Sequence, residues 1–144
     1  MRTRLRTFAI VSALPLVLLA GCSKSSSSEG TAATGPEGWT RLSPAQLQDR
    51  MQQGDVFLVN VHVPYEGEIT GTDAFIPYTD IAQRIGDLPA DRSTLVLYCR
   101  SGNMSTQAAQ ALIDAGVTGF AELEGGFYAW QAAGLPFVVT PNGG

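Results

Sequence analysis

Two short, nearly unbroken apolar runs, Val56-Phe57-Leu58-Val59-Asn60-Val61 and Thr94-Leu95-Val96-Leu97-Tyr98, constrain the fold of this chain most. Each has the character of a strand buried on both faces, as in a parallel sheet covered by helices. Helical signals lie around them. Ser43 followed by Pro44 predicts a helix start, with Leu47 and Met51 on one face and Gly54 as the stop. A second helix is expected over 78–85, closed by Gly86 and Pro89, and a third over 105–115, with Ala108, Ala109, Leu112 and Ile113 on one side. The run 120–123 predicts another strand, Glu124-Gly125-Gly126 a turn, and 127–133 a last helix ending at Gly134 and Pro136. Residues 62–77, with Pro64, Gly67, Gly71 and Pro77, predict an irregular connection with a brief strand over 74–76. Strands alternating with helices predict an α/β domain with a mostly parallel central sheet flanked by helices.

The 144 residues do not all belong to that domain. Arg2, Arg4 and Arg6 precede an apolar run over 8–19 that ends in Leu19-Ala20-Gly21-Cys22. The run is short for a membrane span, and its basic, apolar and small-residue parts stand in the order of a secretory signal. Its last four residues resemble the lipobox of bacterial lipoproteins. That resemblance implies cleavage of residues 1–21, lipidation of Cys22 and attachment to a bacterial membrane outside the cytoplasm. Residues 22–37, with four consecutive serines at 25–28, are too polar to offset their ordering entropy and predict a flexible tether. The globular part is expected over 38–140, with 141–144 as a short tail.

This division changes two tallies. Of the two cysteines, Cys22 would carry lipid, which leaves Cys99 as the free thiol and rules out a disulfide framework. Without the signal, six basic residues face thirteen acidic ones, a net charge of −7. That balance argues against nucleic-acid binding and against adhesion to anionic lipid by charge.

Cys99 stands where the second apolar strand ends, and ligands of open parallel sheets bind at the carboxyl ends of strands. The loop Arg100-Ser101-Gly102-Asn103-Met104-Ser105 follows at once and leads into a helix. Successive backbone N–H groups and the positive end of a helix are thereby aimed at one sulfur, an arrangement that favours a thiolate and an anion beside it. Arg100 supplies the loop's cation, Ser101 and Asn103 are possible donors, Gly102 lets the backbone curl, and Ser105 is placed to cap the helix.

The segment Cys99-Arg100-Ser101-Gly102-Asn103-Met104-Ser105 resembles the active-site loop of the rhodanese family. Leu123-Glu124-Gly125-Gly126, Trp130 and Ala133-Gly134-Leu135-Pro136 are similar to that family's ending. Weaker matches are Val59-Asn60-Val61-His62 with Glu66, Gly67-Glu68-Ile69-Thr70-Gly71 and Ala74-Phe75-Ile76-Pro77. The resemblance implies a single rhodanese-like domain without a cofactor and a sulfurtransferase reaction. Cys99 would take the outer sulfur of thiosulfate or a similar small anionic donor as a persulfide, then pass it to cyanide or a thiol. Arg100 would help hold the donor. Asn60, His62 and Glu68 depart from the family's Asp, Arg and His. Those departures leave open a slow or inactive module that binds a partner or senses sulfide. Cysteine phosphatases and arsenate reductases use a cradle of five residues and an Arg after the cysteine. Here Ser105 holds that sixth position, which argues against them.

His62 is the sole histidine, and no Cys-His or Glu-His spacing supports a metal site. Glu66, Glu68 and Asp73 are expected to be solvated loop carboxylates. Trp39, Phe127, Tyr128 and Trp130 are expected to pack at the sheet edges. Glu124 falls near the cleft without an assigned role.

Overall fold

The computed structural model describes residues 38–139. The expected signal 1–21, the tether 22–37 with Cys22, residue 140 and the tail 141–144 lie outside the described residues.

Five strands make one sheet: β1 (Thr40–Leu42), β2 (Phe57–Asn60), β4 (Ala74–Phe75), β5 (Leu95–Tyr98) and β6 (Ala121–Leu123). Their order is β1-β6-β5-β2-β4, and every pairing is parallel. The two apolar runs are therefore neighbours at the centre, with Leu97 opposite Val59 on one side and Glu122 on the other. A separate antiparallel pair joins β3 (Glu68–Ile69) to β7 (Phe137–Val138). Neither of these two-residue strands was expected, nor was β1. β3 and β7 are defined by their pairing with each other and β1 by its pairing with β6, partners that lie far away along the chain.

Alternation along β5 divides the core. Leu95 and Leu97 join Val59, Val61, Ala108, Ala109 and Leu112 under α2 (Asn103–Asp114). Val96 and Tyr98 join Leu58, Leu47, Phe127 and Trp130 under α1 (Pro44–Gln53) and α3 (Gly126–Ala132). All four residues of β5 are buried, as its unbroken apolar character requires.

Helix α1 begins as its sequence predicts. Ser43 Oγ accepts from the Gln46 N–H at 3.3 Å, while the Ser43 N–H donates to Gln46 Oε1 at 2.8 Å. The helix expected over 78–85 is absent. That segment forms successive turns and a single 3₁₀ turn at Ile85–Asp87. Ile81 is fully buried there all the same.

Candidate active site

Strand β5 delivers Cys99 to the carboxyl end of the middle strand, with 1% of its surface exposed. The chain then reverses through Gly102, whose φ of 98° lies in the left-handed region that favours glycine. That turn brings the Gly102 N–H back to Cys99 Sγ at 3.1 Å. Ser105 Oγ lies 3.4 Å from the same sulfur. Cys99 lines a cavity of about 220 Å³ together with His62, Arg100, Ser101, Asn103 and Met104. The loop's expected residues thus converge on one cavity, with Gly102 and Ser105 reaching the sulfur itself.

Ser105 does not cap the helix. Helix α2 starts two residues earlier at Asn103, with Gly102 as N-cap and no side-chain cap. Ser105 is instead buried in the first turn and turned toward the sheet, where its hydroxyl meets Cys99, the Gly102 carbonyl at 3.1 Å and Glu122 Oε1 at 2.7 Å.

The loop is held from behind by the start of α3. The Phe127 N–H donates to the Cys99 carbonyl at 2.9 Å, and the Tyr128 N–H donates to the Arg100 carbonyl at 3.1 Å. Gly126, at φ 58°, sits so close to both carbonyls that a Cβ there would collide with backbone. The double glycine therefore has a positional reason: it lets one helix terminus grip the backbone that carries the sulfur.

Arg100 is not an isolated cation. Its Nη1 donates to Glu66 Oε1 at 2.8 Å, and its guanidinium lies 5.7 Å from the Tyr128 ring centroid. Glu66 is an exposed loop carboxylate, as expected, and it also pairs with a residue of the cysteine loop. Asp73 is exposed as well, and its Oδ2 accepts from the Leu58 N–H at 2.8 Å and ties the connection to β2. Glu68 lies in β3 opposite Val138.

His62 is 3% exposed, and its ring nitrogens have no hydrogen-bond partner among the described residues. Its Nε2 lies 3.4 Å from Glu66 Oε1 without the alignment of a hydrogen bond. Asn60, fully buried, accepts from the His62 N–H at 2.9 Å and donates from Nδ2 to the Gly67 carbonyl at 3.0 Å. It therefore ties both ends of the turn that carries His62 and Glu66.

Sequence reasoning missed Glu122. Its carboxylate is 1% exposed and accepts from Ser105 and Thr106 hydroxyls at 2.7 and 2.9 Å and from Trp39 Nε1 at 2.9 Å. Arg41 Nε lies 3.7 Å away. A signal was present: Ala121 and Leu123 face one cluster, so the acid between them must face the other, on a strand covered on both sides. Glu122 also lines a second cleft of about 580 Å³ with Arg41, Thr106 and Glu124, which shares Ser101, Gly102 and Asn103 with the cysteine loop. Glu124 thus opens on the back of the loop rather than on the sulfur.

Residues 43–133 match the family model described as Rhodanese-like domain. A protein of Allochromatium vinosum named sulfurtransferase is 41% identical over 93 residues, covering 62% of this chain and 83% of that protein. An uncharacterized protein of Synechocystis sp. is 46% identical over 105 residues, 70% of this chain; the match spans 57% of that relative's length. Among solved structures, the rhodanese-like domain from Anabaena sp. is similar, with a TM-score of 0.59 and 26% identity. That likeness covers 72% of this chain and 86% of the other.

Proposed function

The chain belongs to the rhodanese-like domain family, and on that footing we propose that it is a sulfurtransferase whose reacting atom is Cys99 Sγ. The observation that carries the reading is the Gly102 N–H directed at that sulfur on the wall of a small cavity. The Cys99 thiolate attacks the outer sulfur of thiosulfate, the sulfur–sulfur bond of the donor breaks, and sulfite leaves with the bonding pair. The enzyme is left as a persulfide. An acceptor thiolate or cyanide then attacks the outer sulfur and releases the Cys99 thiolate. Neither step changes the net oxidation level of the pair, and neither needs a cofactor. The Gly102 N–H favours the thiolate of the free enzyme, and the loop's N–H groups suit the persulfide as well, whose outer sulfur is itself anionic.

We further propose that Cys22 carries lipid and anchors the protein to a bacterial membrane outside the cytoplasm, a reading that rests on the sequence pattern at 1–22. No protein partner is assigned, and nucleic acid is disfavoured by the acidic balance.

The deciding experiment is intact-mass measurement of the purified protein after incubation with thiosulfate and a panel of other sulfane donors. A gain of one sulfur located at Cys99, and loss of thiocyanate formation in Cys99→Ala, is the expected result. No adduct with any donor would leave the fold as a binding or sensing module.

A further inference from the structure

The hydroxyl of Ser105 has one hydrogen and three acceptors within reach: Glu122 Oε1 at 2.7 Å, the Gly102 carbonyl at 3.1 Å and Cys99 Sγ at 3.4 Å. Its hydrogen can satisfy only one of them. The groups around Glu122 decide which. Trp39 Nε1 and Arg41 are donors only, and both address Oε2. Thr106 Oγ1 joins Ser105 at Oε1. Four donors converging on two oxygens are what a carboxylate accepts, and the shortest of these contacts is the one from Ser105. A hydroxyl bond to a carboxylate is about twice as strong as one to a neutral acceptor.

We infer that Glu122 is a positioning residue that turns the Ser105 hydroxyl away from Cys99, so that Ser105 presents a lone pair to the sulfur. In that orientation Ser105 accepts from the thiol and opposes the thiolate. Gly102 N–H is then the group that favours the ionised sulfur, and Glu122 acts as a restraint on Cys99 reactivity. When the thiol ionises, its proton leaves to solvent while the Ser105 hydrogen stays on the Glu122 bond.

The charged and titratable groups on this path are few. Arg41 faces Glu122 from β1, and Glu124 lines the same cleft. His62 and Arg100 line the Cys99 cavity, and Glu66 stands beyond both. Glu122→Gln leaves those groups in place. The amide must keep its oxygen toward Trp39 and Arg41, because neither can accept. Its NH2 then donates to Ser105 and Thr106, and the Ser105 hydrogen is left to the Gly102 carbonyl or the sulfur, of which the ionised sulfur is the stronger acceptor.

The test is the rate of Cys99 alkylation by iodoacetamide, followed by peptide mass on the full chain across neutral pH. This reads the sulfur itself, so it stands or falls independently of sulfur transfer from any donor. Glu122→Gln is expected to accelerate alkylation about five-fold, with the rate rising from a lower pH, as gain of one hydrogen bond to the thiolate implies. Ser105→Ala removes the opposing lone pair and is expected to accelerate it about two-fold. The double variant is expected to match Ser105→Ala, because the released hydrogen is gone. An unchanged or slower rate in Glu122→Gln overturns the inference, and so does a double variant that reacts faster than Ser105→Ala alone. Where Glu122→Gln fails to fold, Ser105→Ala alone decides. Slower alkylation there would mean that Ser105 donates to the thiolate after all.

Discussion

Asn60 shows how one residue can depart from a family's pattern and still serve the site. A carboxylate at this position could accept from the His62 N–H, but it has no hydrogen for the Gly67 carbonyl, which Asn60 Nδ2 reaches at 3.0 Å. The amide fits both. Asn60→Asp, a return to the residue usual in the family, is therefore expected to destabilise the fold by about 2 kcal/mol, read as a lower midpoint in urea. An unchanged midpoint would show that the Gly67 carbonyl finds another donor. Glu66 works at the same scale on charge. It already occupies the guanidinium of Arg100, so an anionic donor must compete with it. Both side chains are partly exposed, which keeps the pair weak. Glu66→Gln should lower KM for thiosulfate about three-fold with little change in kcat, and a raised KM would refute that competition.

At the scale of elements, two helix termini meet on one loop. The start of α2 forms the turn that returns Gly102 to the sulfur, and the start of α3 donates to the carbonyls of Cys99 and Arg100. Gly126 is the hinge of this meeting. A methyl group there meets the backbone of Cys99 and Arg100, which cannot yield as a flexible side chain would, and its φ of 58° adds strain. Gly126→Ala is expected to cost about 3 kcal/mol of stability. It should also slow Cys99 alkylation in whatever protein remains folded, because α3 can then no longer hold the loop. Normal alkylation in a destabilised variant would separate the packing role from the positioning role. The motif Gly125-Gly126 was legible in the sequence, but its target was not, because the two segments are distant along the chain and meet only through the sheet.

For the molecule as a whole, Tyr98 links the central sheet to the long connection. Its hydroxyl accepts from the Ile69 N–H at 3.1 Å and lies 2.7 Å from Thr72 Oγ1. Burial, only partly offset by these hydrogen bonds, pushes the phenol up to about 12 from its ordinary value of 10.0. The folded protein therefore keeps a proton that the unfolded chain releases first. The stability that Tyr98 contributes is full below pH 10, is lost as pH rises from about 10 to about 12, and is on the order of 3 kcal/mol. Unfolding free energy measured across that range should show the decline, and Tyr98→Phe should flatten it. An equal decline in the variant would assign it to other groups.

The sequence by itself determined the parallel α/β domain, the central place of β5 and the position of Cys99 at its carboxyl end. These follow from local facts, since apolar runs must be buried and glycines and caps mark where elements stop. It also determined the loop residues around the sulfur, because they are contiguous with it. The tertiary structure alone decided what those residues do. Ser105 became a partner of Cys99 and Glu122 rather than a cap, Glu66 closed on Arg100, and the turns over 78–84 stayed irregular. The physical reason is that burial forces polar groups to find partners, and the partner available is set by register across the sheet. Leu97 and Glu122 are register neighbours on adjacent strands, and that pairing puts a carboxylate next to the thiol's own neighbour.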